Sequence, residues 1–148
     1  MAINIAIDGP AGAGKSTIAK AVAKELEFIY VDTGAMYRAM ALYLIRKGIS
    51  PKEQEKMEEA CKNAEISIVY EKGAQQVILD GENVTEYLRQ EEVGNMASVS
   101  SVNPKIREKL VELQRVLASK ENVVMDGRDI GTCVLPHADI KIYLTASA

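Results

Sequence analysis

The sequence predicts a three-layer α/β/α protein with a parallel central sheet, and three observations carry that prediction. Short apolar runs rich in β-branched residues alternate with stretches of helical periodicity. The first two runs are joined through one amphipathic stretch, the pattern of a βαβ unit. Loops carrying glycine and aspartate follow the carboxyl ends of the runs.

In order along the chain, Ile3 to Ile7 is a strand that ends in Asp8-Gly9-Pro10. From Lys15 to Leu26 the apolar residues Ile18, Ala19, Val22, Ala23 and Leu26 form one helix face. Phe28 to Val31 is the next strand, so the two strands and their helix predict parallel pairing with a right-handed crossover. Gly34 to Ile45 reads as a strongly apolar helix stopped by Gly48. Ser50-Pro51-Lys52-Glu53 then predicts a helix start with a capping box and a first-turn proline.

The character changes between Glu65 and Val84. Glu65–Tyr70, Gln76–Leu79 and Glu82–Val84 are short strand-like pieces separated by Glu71-Lys72-Gly73 and Asp80-Gly81, the second a strong hairpin signal. They predict a small antiparallel sheet inserted into the α/β chain. Helix returns from Glu91 to Val102. Another begins at Asn103 and Pro104 with Ile106, Leu110, Leu113 and Leu117 as its buried stripe. Val123-Val124-Met125 and Ile140–Leu144 are two further core strands. Only Thr145-Ala146-Ser147-Ala148 follows the last, where a covering helix is expected, so the sequence reads as cut short of its natural end.

A chain of 148 residues with net charge −3 has no global positive field to draw it to nucleic acid or anionic lipid. No apolar run approaches the roughly 20 residues that span a bilayer, and the N-terminus lacks a basic, then apolar leader. Cys61 and Cys133 lie far apart with no metal-ligand spacing, and read as reduced thiols. These features predict a cytoplasmic protein with no nucleic-acid or membrane partner; a monomer is expected.

The chemistry is carried by Gly9-Pro10-Ala11-Gly12-Ala13-Gly14-Lys15-Ser16, with Thr17 following, which matches G-x-x-x-x-G-K-[ST]. Glycines let the backbone approach phosphate oxygens, and successive N–H groups at a helix N-terminus cradle the anion. In this motif Lys15 is expected to bridge the β- and γ-phosphates of the nucleotide, and the Ser16 hydroxyl to ligate Mg²⁺. The motif follows a strand and opens a helix, as its function requires, so the fold class sharpens to the P-loop NTPase type. A switch GTPase would carry D-x-x-G and N-K-x-D, and neither string occurs.

A second anion-binding set points to a kinase of small molecules. Arg38 is the one charged residue between Gly34 and Ile45, and reads either as a bidentate phosphate clamp or as a side chain snorkelling to water. Asp126-Gly127-Arg128-Asp129 sits at the carboxyl end of a strand, where open α/β sheets hold ligands. Asp126 is positioned to steer Mg²⁺ or its waters, and Arg128 and Asp129 to read an acceptor; a plain turn is the rival reading. His137 reads as a surface histidine, and Tyr37 and Tyr43 as core.

The strings G-P-A-G-A-G-K-S-T, D-T-G-A-M-Y-R and D-G-R-D-I-G-T, in this order, resemble bacterial cytidylate kinase, a P-loop nucleoside monophosphate kinase family. The resemblance is collinear over all 148 residues, and segment 64–88 resembles the family's enlarged CMP-binding region. It implies one partial P-loop kinase core over 1–148 that phosphorylates CMP and dCMP with ATP and Mg²⁺. It also implies that Thr33, Arg38, Arg128 and Asp129 contact CMP, with Lys15, Arg128 and Asp129 as catalytic residues. Ser98 and Arg107 match further positions around the cytosine and phosphate, against plainer readings as a helix hydroxyl and a solvated charge. Family members continue into an arginine-bearing lid. Two rival functions therefore stand beside CMP phosphorylation: a nucleotide-binding module with little catalysis, and a kinase for another small acceptor.

Overall fold

The computed structural model describes residues 2–10, 14–71, 74–127 and 130–145. The chain divides into two units: Met1–Thr33 with Gln114–Ala148, and Gly34–Leu113.

The first unit is built on four parallel strands, β1 (Asn4–Asp8), β2 (Ile29–Asp32), β6 (Val123–Gly127) and β7 (Ile140–Tyr143), in the order β2-β6-β1-β7. Helix α1 (Lys15–Leu26) covers them through Ala19 and Ala23, which pack with Ile5, Ile7, Tyr30 and Val124. Val22, Phe28, Ile142 and Leu144 close the edges of that cluster. The pairing differs from the expectation in one respect. β1 and β2 are parallel members of one sheet but not neighbours, because β6 lies between them. Only a strand apolar on both faces can take a central position in such a sheet. Val123, Val124 and Met125 are all fully buried, whereas Ile140 and Tyr143 of the edge strand β7 are exposed.

The second unit holds α2 (Thr33–Arg46) from Gly34 onward, α3 (Gln54–Cys61), α4 (Glu91–Ser100) and the first part of α5 (Pro104–Lys120). It also contains the antiparallel sheet β3-β4-β5 (Ile66–Glu71, Ala74–Leu79, Glu82–Asn83) and a 3₁₀ turn over Thr85–Arg89. Met36, Met40 and Leu44 recur every four residues and are fully buried, which explains the length of α2 without any help from capping. Ile66 and Ile68 of β3 and Val77 and Leu79 of β4 alternate onto one buried face. The β4–β5 turn is Asp80-Gly81 with φ of +49° and +85°, the backbone a type I′ hairpin demands. Lys72 and Gly73 of the other expected turn lie outside the described residues.

Two helix readings shift. α3 begins at Gln54 rather than at Pro51, because Glu53 sits at φ −95° and ψ 65°, outside the helical region. Half of the expected capping box survives as a turn: the Ser50 N–H donates to Glu53 Oε1 at 2.9 Å, while Ser50 Oγ accepts from Lys52 N–H at 3.2 Å. In α5 the buried line runs through Ile106, Leu110, Gln114 and Ala118, and Leu113 and Leu117 are half-buried beside it. The buried line keeps a spacing of four residues throughout, and so passes through Gln114 and Ala118 rather than Leu113 and Leu117. Asn103 caps it as expected, its Oδ1 accepting from the N–H of Lys105 at 2.9 Å and of Ile106 at 3.4 Å. No helix among the described residues is long and apolar enough to cross a membrane.

Candidate active site

The glycine loop grows from the end of β1. Gly9 has φ +154°, and a Cβ there would fall 2.6 Å from the Leu144 carbonyl oxygen, so only glycine lets the loop leave beside the end of β7. Gly14, at φ +82°, is the left-handed residue that turns the loop into α1. The first turn of α1 carries no acidic residue, so no carboxylate of its own competes for the partial positive charge of the helix start. Lys15 Nζ donates to the Pro10 carbonyl at 3.4 Å, folding back over the loop's entrance. Ser16 and Thr17 occupy the same first turn with exposed side chains, while Ala11, Gly12 and Ala13 lie outside the described residues.

Three aspartates line the carboxyl ends of adjacent strands. Asp32 and Asp126 are register partners across β2 and β6, and Asp8 is the partner of Gly127 across β1 and β6. Asp126 is almost fully buried, and its two carboxylate oxygens each accept from the Tyr30 hydroxyl at 3.1 Å. Burial, and after it the negative charge of Asp32, pushes the Asp126 carboxyl above its ordinary value, against smaller opposing pulls from Tyr30 and Lys15. The Tyr30 phenol is pushed up as well, first by burial and then by the charges of Asp32 and Asp126.

The end of β6 and the turn that begins at Ile130 are each held by a side chain. Thr33 Oγ1 donates to the Asp126 carbonyl at 3.0 Å, so this hydroxyl, expected to meet CMP, already spends its proton inside the protein. A Cβ on Gly127 would meet Thr33 Oγ1 at 2.9 Å, which makes the glycine of D-G-R-D a packing requirement. Beyond Arg128 and Asp129, which lie outside the described residues, a single π-helical turn spans Ile130–Val134. Asp8 accepts its first two N–H groups, Ile130 on Oδ1 at 2.6 Å and Gly131 on Oδ2 at 2.8 Å.

Hard oxygen donors are what Mg²⁺ takes, by way of one or two protein groups and the substrate's phosphates. Ser16 and Asp126 suit that demand, since the Asp126 carboxylate lies within electrostatic reach of Lys15 on the loop side of the sheet. Among the described residues no group of three or more His, Cys, Asp or Glu forms a self-contained metal cage.

The second unit carries the remaining expected acceptor residues. Arg38 is exposed on α2, donates from Nη1 to the Leu88 carbonyl at 3.1 Å, and has no ion-pair partner among the described residues. Arg107 is exposed on α5, within electrostatic reach of the Tyr37 phenol. Burial pushes that phenol up, and Arg107 pulls it partly back. Tyr37 is thus half-buried rather than plain core, while Tyr43 is buried. Ser98 is exposed on α4, its Oγ donating to the Gly94 carbonyl at 3.2 Å. His137 is exposed, as expected of a surface histidine. Sequence reasoning missed Asp8 and Tyr30: the first reads only as the start of the loop after a strand, the second as part of the next strand.

The family described as cytidylate kinase matches residues 5–148. A cytidylate kinase of Caldicellulosiruptor saccharolyticus is 56% identical over 146 residues, covering 99% of this chain and 65% of that protein. One from Desulfitobacterium hafniense is 53% identical over 146 residues, with 99% and 62% covered. One from Bacillus subtilis is 46% identical over 145 residues, with 98% and 65% covered. The chain thus spans a little under two thirds of the length of these relatives. With the glycine loop at the end of β1 and a buried aspartate at the end of β6, the match over almost every residue makes this chain a member of the cytidylate kinase family.

Proposed function

We propose that the protein transfers the γ-phosphoryl group of ATP to CMP, and to dCMP, releasing ADP with CDP or dCDP as a step of pyrimidine nucleotide metabolism. The observation that carries the reading is the juxtaposition of the G-x-x-x-x-G-K-S loop with buried Asp126 in a chain of this family. The loop from Gly9 to Thr17 binds the ATP phosphates through backbone N–H groups, and Lys15 neutralises charge where the γ-phosphoryl leaves. Ser16 and Asp126 hold Mg²⁺, which when bound supplies further neutralisation of the phosphate oxygens.

On the acceptor side Arg38, Arg107 and Arg128 grip the CMP phosphate, and Thr33, Ser98 and Asp129 select the nucleoside. Phosphoryl transfer asks for positioning and charge neutralisation rather than for a protein nucleophile, and these groups supply both. The substrates are free nucleotides rather than nucleic acid or membrane, and the protein works in the cytoplasm as a monomer.

A second reading, favoured by the greater length of the relatives, is that residues 1–148 alone bind nucleotide without useful turnover. Incubation with Mg-ATP and each of CMP, dCMP, UMP and AMP, following ADP release, tests both. Turnover selective for CMP and dCMP is the result expected of the first reading. Silence of the 148-residue chain despite measurable ATP binding supports the second reading; turnover with AMP alone overturns the first.

A further inference from the structure

The Tyr30 hydroxyl stands 3.1 Å from Oδ1 of Asp126 and 3.1 Å from Oδ2, so it meets the carboxylate head-on, between the two oxygens. An ionised carboxylate has about four lone-pair directions, one from each oxygen converging on that midline and one pointing outward. The hydroxyl fills the converging pair and leaves the outward ones open. Packing fixes both partners. The Tyr30 ring is buried among Ile5, Ile7, Ala19 and Val124, with Lys20 Nζ 5.7 Å from its centre, and the Asp126 carbonyl is held by Thr33 Oγ1.

A cation chelated by both oxygens of a carboxylate must sit on the same midline. We propose that Tyr30 sets which divalent cation the site accepts: its hydroxyl closes the two-oxygen seat of Asp126, so that a cation there is held by one oxygen or through water. The inference rests on the reading above, in which Ser16 and Asp126 hold Mg²⁺. Mg²⁺ is bound in near-octahedral geometry and keeps several waters, so contact through one oxygen or one water suffices for it. Ca²⁺ seeks about six to eight oxygens and readily takes both from one carboxylate. The closed seat therefore leaves Mg²⁺ its ligand and denies Ca²⁺ one. Tyr30 acts through Asp126, as a positioning residue that favours Mg-ATP over Ca-ATP.

The test measures ATP binding to the chain by calorimetry in Mg²⁺, in Ca²⁺ and in EDTA, for the parent, Tyr30→Phe, Asp126→Asn and the double variant. The parent is expected to bind Mg-ATP more tightly than Ca-ATP. Tyr30→Phe narrows that preference by roughly 10-fold, mainly by tightening Ca-ATP, while metal-free ATP changes less than about twofold. On the Asp126→Asn background Tyr30→Phe leaves the preference unchanged, since no two-oxygen seat remains to open. Infrared difference spectra of the parent add a readout that needs no change at Tyr30. The Asp126 carboxylate bands, assigned by their loss in Asp126→Asn, are expected to show the wide splitting of single-oxygen contact with either cation.

An unchanged preference in folded Tyr30→Phe overturns the inference. So does an equal weakening of all three forms of ATP, which would make the tyrosine structural only, or a two-oxygen infrared signature in the parent. Should Tyr30→Phe fail to fold, the infrared spectrum decides. A parent whose ATP affinity is the same in Mg²⁺ and in EDTA, and unaltered by Asp126→Asn, refutes the reading of Asp126 as a metal residue, and the inference falls with it.

Discussion

At the scale of single residues, Asp126 sets a conflict between stability and chemistry. Its folded carboxyl is raised above the ordinary value by burial and by Asp32, so the folded chain holds that proton to higher pH than the unfolded chain does. Through the window from the ordinary carboxylate value up to the raised one, the folded state binds more protons, and stability falls as pH rises. Asp126→Asn is therefore expected to raise the melting temperature of Mg-free protein near pH 7, to do little near pH 4, and to abolish phosphoryl transfer; calorimetry at the two pH values checks it. Gly9→Ala pushes a Cβ against the Leu144 carbonyl and should cost about 1–3 kcal/mol in denaturant titrations. Arg38→Ala is expected to raise KM for CMP by roughly 10-fold or more with a smaller effect on kcat; an unchanged KM removes Arg38 from the acceptor site. The glycine pattern announces Gly9 and Gly14 because a phosphate loop restricts residue type locally. Asp8 and Tyr30 stayed silent because their partners lie 122 and 96 positions away, and nothing in their neighbourhoods records that distance.

At the scale of elements, the β4–β5 hairpin and helix α5 show where local signals suffice. Asp80-Gly81 is legible because two consecutive positive φ angles exclude most side chains, and the Asp80 carboxylate also accepts from Glu65 N–H at 2.9 Å. Gly81→Val should destabilise the protein by about 1–2 kcal/mol, seen as a lower denaturation midpoint with fold and secondary structure retained. The start of α3 was less legible, since Ser-Pro-x-Glu suits a helix start and the turn that precedes one. Arg46 fastens this region by a forked pair to Glu82, at 2.8 and 3.3 Å, with its guanidinium 5.3 Å from the centre of the Tyr87 ring. Both carboxylate and guanidinium are well exposed, so water and salt screen the pair, and it serves geometry more than stability.

At the scale of the whole molecule, strand order was the part the sequence could not disclose. Apolar runs announce strands, but β1, β2 and β6 are similar in composition, and which of them is central depends on pairings 119 and 94 positions apart. The unit that carries the phosphate loop is accordingly assembled from both ends of the chain, whereas Gly34–Leu113 is continuous. A chain stopped at Leu113 keeps β1 and α1 but removes β6 and β7, both neighbours of β1. It is expected to lose ATP binding altogether, as titration with a fluorescent ATP analogue would report.

The same arrangement bears on how the protein is made. Ile3 must wait for Asn122, 119 positions later, before its N–H finds its acceptor, and β1 lies between two strands that both arrive after it. At roughly 5–20 residues per second of synthesis, that wait is on the order of ten seconds. Throughout it the nascent phosphate loop hangs from a strand with both edges bare, so the ribosome releases a nucleotide-competent sheet only once the last strands have emerged.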